Sequence, residues 1–264
     1  IQSVFSIPEG DLVLSIIMIV LLLMVLVYTI LGGMISVIIT DFIQFVVLSL
    51  GMILSVAFSI YHLGWTNIFT QVELLSLNPD LIYNPIQSRG GFYITWQVVL
   101  GFVSAVIWPT AITRALSLDS SETVRKQYMW SSASFLIRFI VPCFLGICAY
   151  VYFNGYTPDS SWEKLSMMPK YLSEILPVGI LGIVVAAMIA AFMSTHDSYL
   201  LCWSTIITND IIDPIKGGRL TSSEKIKYSR IIIVFLGLYI LYWGLMYNGN
   251  DSIWDYLGIT GAIH

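Results

Sequence analysis

The chain has 264 residues, 57% of them hydrophobic, with 12 basic and 16 acidic side chains, a net charge of −4 and a mean hydropathy of +0.84. A soluble domain of this length can bury a sizeable core, but it needs a charged surface, with ~25% charged residues being usual; here the share is 11%. Intrinsic disorder is excluded by the abundance of apolar residues, so the chain belongs in a bilayer.

A helix that crosses ~30 Å of hydrocarbon needs ~20 apolar residues, whereas a membrane barrel would show short alternating strands. Gaps between charges supply the first length: Asp11 to Asp41 encloses 29 uncharged residues, and Glu174 to Asp197 encloses 22. In chain order the expected helices are 12–31, 34–62, 92–113, 129–153, 177–208 and 230–247, with a seventh at 252–264. Gly32-Gly33 makes a tight turn between the first two, and Pro109 makes the third discontinuous. Residues 63–91 and 154–176 are long connections, the second with a short interfacial helix over Trp162–Leu176.

Loop charge sets the orientation. Loops 114–128 and 209–229, with Arg230 at the edge, hold eight Lys and Arg, against three in the opposite loops (Arg89, Lys164 and Lys170). The first set is expected in the cytoplasm, with 63–91 and 154–176 outside. Trp65, Tyr83, Tyr152, Tyr156 and Trp162 then form the outer aromatic belt. Ile1 in place of Met and His264 within an apolar stretch mark the chain as a piece of something longer, and no signal peptide is expected. Cys143, Cys148 and Cys202 have no metal-ligand spacing and are read as small packing residues. No basic run tracks a phosphate backbone, so nucleic acid is not an expected partner.

Ionisable groups inside a membrane require an explanation. Asp41, Asp197 and Arg138 all fall within expected helices. Arg138 is expected to snorkel to the cytoplasmic interface, and the lone His62 and His196 to pack. Around Asp197, Ala191, Ser194, Thr195 and Ser198 fall at i, i+3, i+4 and i+7, so they share one stripe that Asp197 adjoins. Hydroxyls and a carboxylate are hard oxygen ligands for a small hard cation. Alternatively, such hydroxyls bond carbonyls one turn back or join helices. Trp96, Gln97 and Trp108, on the discontinuous third helix, are candidate solute contacts; an ordinary proline kink with lipid-facing aromatics is the alternative.

Three strings carry a resemblance. Ala186-Ala187-Met188-Ile189-Ala190-Ala191-Phe192-Met193-Ser194-Thr195-His196-Asp197-Ser198, with Ser204-Thr205-Ile206-Ile207-Thr208-Asn209-Asp210, resembles the eighth core helix of sodium:solute symporters. Tyr28-Thr29-Ile30-Leu31-Gly32-Gly33-Met34 and Thr40-Asp41-Phe42-Ile43-Gln44 resemble the junction of the fourth and fifth. Pro109 and Thr113-Arg114-Ala115-Leu116-Ser117 resemble the end of the sixth. The resemblance implies an all-α polytopic membrane protein, part of a five-plus-five inverted-repeat (LeuT-type) fold with ions and solute bound near the midplane. It implies a principal sodium site at the Ala191 carbonyl and the Ser194 and Thr195 hydroxyls. It also implies a second, inner ion site or exit path at Asp41, Ser194, Asp197 and Ser198. The first core helix, which completes the principal site, lies outside this sequence, so the chain alone is not expected to transport.

The expected function is therefore sodium-coupled symport of a small polar organic solute by alternating access in the plasma membrane. Sodium is the coupling ion, and no cofactor is expected. Three alternatives stand beside it: a transporter-like sensory domain, uniport without ion coupling, and an intramembrane hydrolase using Asp41 and Asp197 as paired acids. No Gly-x-Gly-Asp string accompanies either acid, which weighs against the last.

Overall fold

The computed structural model describes residues 11–75, 84–157 and 161–246, and every regular element in them is helical. In order these are α1 (Asp11–Leu63), α2 (Trp65–Leu75), α3 (Pro85–Arg89), α4 (Gly91–Ile107), α5 (Pro109–Leu116), α6 (Ser121–Tyr152), α7 (Ser161–Ile175), α8 (Val178–Ile206), a π turn (Ile207–Ile212), α9 (Asp213–Ile215) and α10 (Ser222–Met246). Among the described residues five stretches are long and apolar enough to cross a membrane: Ser15–Leu63, Gly91–Leu116, Ser121–Tyr152, Val178–Ile215 and Ser222–Met246. Tyr83, the side chain of Trp162 and the expected helix 252–264 lie outside the described residues.

The first stretch, straight, would be ~75 Å long, far more than one crossing. It is not straight. Gly33 has φ 57° and ψ −153°, which only glycine adopts without strain. A Cβ on Gly32 would sit 2.0 Å from that of Ser36, so the turn also needs a bare backbone beside it. The contacts show that the chain doubles back there. In the first arm, Leu26 packs on Gly237 and Met18 on Gly244, so this arm runs antiparallel to α10. In the second arm, Gly51 packs on Ala187, while Asp41 and Ser198 share the Arg114 side chain, so this arm runs antiparallel to α8. Helices α8 and α10 are themselves antiparallel, joined at one end where Thr208 and Ser229 hydroxyls lie 3.0 Å apart. The two arms therefore pack on α8 in opposite directions. Close approach at Gly51, Gly237 and Gly244 follows the small-residue packing of membrane helices.

Two apolar clusters hold this arrangement. One joins Leu22, Val25 and Leu26 of the first arm to Leu200 of α8 and Ile233 of α10. The other, at the end away from Gly33, joins α2, α6, α7 and α8 through Ile68, Cys148, Tyr171 and Val184. Helix α7 thus docks its Tyr171–Leu172 face into the core of the second connection. Trp65, Tyr152 and Tyr156 are exposed at this same end.

Two helices begin eight residues before the hydropathy signal, each for a local reason. At α6, the Ser120 hydroxyl caps the Thr123 N–H, so helix starts at Ser121 rather than 129. At α10, Thr221 and Glu224 form a reciprocal capping box, with Glu224 accepting from the Thr221 N–H at 2.8 Å, so helix starts at Ser222 rather than 230. Beside it, Lys225 pairs with Asp213 at 2.6 Å and donates to Asn209, tying α10 to the π turn. Arg138 lies on α6 12 residues, ~18 Å along the axis, beyond Lys126.

Candidate functional site

Helix α8 presents the oxygen stripe. Ser194 Oγ donates to the Ala191 carbonyl at 3.2 Å, Thr195 Oγ1 to the same carbonyl at 2.9 Å, and Ser198 Oγ to the Ser194 carbonyl at 2.7 Å. These are the one-turn-back bonds open to any helical Ser or Thr. They also gather three oxygens within one turn. Each hydroxyl spends its proton on the carbonyl and keeps lone pairs for a cation. Thr195 is exposed and Ser194 half-buried, so the group opens on one side. Neutral, hard, clustered oxygens fit sodium and suit no softer metal.

The two carboxylates flank the stripe. Asp197 is fully buried, accepting from the Tyr28 hydroxyl of the first arm, and its Oδ1 lies 3.2 Å from Ser198 Oγ. Asp41, on the second arm, forms an ion pair with Arg114 at the end of α5, and the same guanidinium donates to Ser198 Oγ. One continuous chain of polar contacts therefore runs Tyr28–Asp197–Ser198–Arg114–Asp41 and joins both arms of α1, α5 and α8. Of the four residues expected at an inner ion site, Asp41, Ser194 and Ser198 line one cavity while Asp197 is buried behind Ser198, and the guanidinium lies between Asp41 and Ser198. Asp41 Oδ1 is buried with no partner.

A cavity of about 590 Å³ opens on this cluster. Its walls come from the second arm of α1, the α4–α5 junction, α6 and α8, and they include Ser194, Thr195 and Ser198. The junction is a true break. Trp108 is extended (φ −64°, ψ 109°), and Pro109, which lacks an N–H, starts the next helix. Trp108 lines the cavity and meets Tyr199 edge to face, with ring centroids 6.2 Å apart. Trp96 and Gln97 do not line it. Both are exposed on α4, a helix with no buried residue, and Gln97 Nε2 donates to the Tyr93 hydroxyl at 2.8 Å. His196 bonds the Phe192 carbonyl at 2.8 Å and packs on its ring.

Sequence reasoning did not assign Tyr28, Gln44, Arg114 or Gln127 to the site. Tyr28, Gln44 and Arg114 lie inside the family-like strings, and a cation closing an apolar helix four residues after Thr110 was a usable signal for Arg114. Its pairing with Asp41, 73 positions away, required the fold. A model of the Sodium:solute symporter family matches residues 3–263. The chain belongs to this family. It is 25% identical over 244 residues to the sodium/pantothenate symporter of Haemophilus influenzae, covering 90% of the chain and 48% of that protein. It is 25% identical over 250 residues to the sodium/sialic acid symporter SiaT of Proteus mirabilis (88% and 49%). To the high affinity choline transporter 1 of Mus musculus it is 28% identical over 250 residues (88% and 42%). The chain spans about half the length of these curated relatives. No solved structure matches it significantly. Family and relatives are transporters, which sets the hydrolase alternative aside.

Proposed function

We propose that the full-length protein is a sodium-coupled symporter that moves a small polar organic solute across the plasma membrane by alternating access. The observation that carries this reading is the three-oxygen group of Ala191, Ser194 and Thr195, open on one side at the edge of the cavity. A dehydrated sodium ion needs several hard oxygens. The group supplies three, and the remainder come from segments of the full-length protein beyond this chain. The names of the relatives, sodium-coupled carriers of pantothenate and sialic acid among them, agree with sodium as the driving ion.

On this reading the loops with eight Lys and Arg face the cytoplasm, and the Arg114 contacts lie toward that side of the sodium group. Arg114 then acts as a latch. Its guanidinium satisfies Asp41 and Ser198 while the path is closed, and an ion leaving inward exchanges with it for the same oxygens. Asp41, Asp197 and Ser198 form an exit path. The test is uptake of a labelled solute panel into proteoliposomes holding the full-length protein. An inward sodium gradient is expected to drive accumulation above equilibrium, and equal uptake in its absence would leave uniport as the better reading.

A further inference from the structure

Arg138 has no part in the sodium group or in the latch. It lies ~18 Å beyond the nearest preceding charge on α6, within a span where an unpaired cation is strongly disfavoured. It lines the cavity, and no hydrogen bond or ion pair holds it among the described residues. The carboxylate in the wall, Asp41, is already in contact with Arg114. Asp197 is not in the wall; its oxygens rest on Tyr28 and Ser198. Among the described residues the charged groups lining the cavity therefore sum to one positive charge, and sodium on α8 would add another.

The same walls carry acceptors in want of donors. Gln44 Oε1, Gln127 Oε1 and Asp41 Oδ1 are buried and unpartnered, and each such atom is costly to leave unmade. Trp108 and Tyr199 supply an aromatic wall for a carbon skeleton. We propose that the cavity takes a small carboxylate bearing hydroxyl or amide donors, with the carboxylate on Arg138 and the donors on the Gln44, Gln127 and Asp41 oxygens. One uncompensated guanidinium matches one negative charge, and its planar fork matches a carboxylate. A neutral sugar would leave Arg138 unpaired, and a cationic solute would be repelled. This inference rests on the transport reading and narrows its solute class.

The experiment uses the full-length protein in proteoliposomes with an inward sodium gradient. The probes are labelled gluconate, glycerate and N-acetylglycine beside the neutral glucose, glycerol and gluconamide. At least one of the three carboxylates is expected to accumulate, and its neutral counterpart to compete poorly in the wild-type protein. Arg138→Gln is expected to raise the KM for that carboxylate tenfold or more, because the substitution removes a charge-assisted hydrogen bond. Arg138→Lys should recover part of the affinity, and the concentration of sodium giving half-maximal uptake should hold. Accumulation of only neutral probes, uptake of none of the carboxylates, or an unchanged carboxylate KM in Arg138→Gln would each overturn the proposal. Competition on the wild-type protein decides the matter should Arg138→Gln fail to assemble. Carboxylate uptake that is Arg138-dependent but indifferent to sodium would instead overturn the sodium reading and leave the solute class standing.

Discussion

Helix α8 contains its own control for the sodium group. Ser194 and Thr195 both bond the Ala191 carbonyl, at 3.2 and 2.9 Å. Ten residues on, Ser204 and Thr205 both bond the Leu201 carbonyl, at 2.9 and 2.8 Å. The local geometry is the same, but only the first pair lines the cavity. Replacing any of the four by Ala removes one back-bond, a net ~0.5–1.5 kcal/mol, with no lasting deficit because the carbonyl keeps its helical partner. Only Ser194→Ala and Thr195→Ala also remove an oxygen from the ion. A contact to a charged group is worth about 1.5–3 kcal/mol, so each should raise the sodium concentration for half-maximal uptake by roughly 10- to 100-fold. Ser204→Ala and Thr205→Ala should leave it within about twofold, since about 0.4 kcal/mol is the most that an indirect effect of this kind is expected to contribute. The assay is initial solute uptake against external sodium, on protein whose thermal stability in detergent has been measured in parallel. If the two pairs shift sodium dependence alike, or neither does, the stripe is a packing device and the ion lies elsewhere.

Asp41→Asn breaks a pair that is only partly shielded, with the Arg114 side chain 39% and that of Asp41 16% exposed, so the cost falls between surface and buried values, about 1–3 kcal/mol. It is expected to slow turnover, read as the maximal uptake rate, more than it weakens sodium-dependent solute binding on the same protein; wild-type turnover would remove Asp41 from the exit path. Single cysteines at positions 125 and 225, in a background lacking Cys143, Cys148 and Cys202, should resist an impermeant maleimide on intact cells, while one at 164 reacts. Labelling at 125 would reverse the orientation.

The bilayer made much of the fold legible. Lengths of uncharged sequence fall where the structure has its long apolar helices, and Gly32-Gly33 marked the reversal because the backbone at Gly33 is open to glycine alone. The oxygen stripe was legible for a similar reason, since helical spacing alone puts Ala191, Ser194 and Thr195 together. Hydropathy was blind to helix outside the hydrocarbon. Ser120 and the Thr221–Glu224 box carried that information in capping chemistry. Pairings across the fold were not legible. Nothing local tells that Tyr28 covers Asp197 or that Arg114 lies between Asp41 and Ser198, because those contacts are set by how four helix segments cross.

The reversal at Gly33 also bears on how the protein is made. No polar stretch separates the arms of α1, so the turn offers little to hold at the aqueous surface while the second arm emerges from the ribosome. Neither arm buries its polar groups alone: Tyr28 needs Asp197, and Asp41 needs Arg114, both supplied more than 70 residues later. The two arms are thus suited to enter the membrane together as a helical hairpin, hydrogen-bonded internally and waiting for α5 and α8. Lengthening the turn by even a few residues would uncouple their insertion and change which face of the second arm meets α8. Deletions and insertions at Gly32-Gly33 should therefore be tolerated far less well than in the connections on the other side of the membrane.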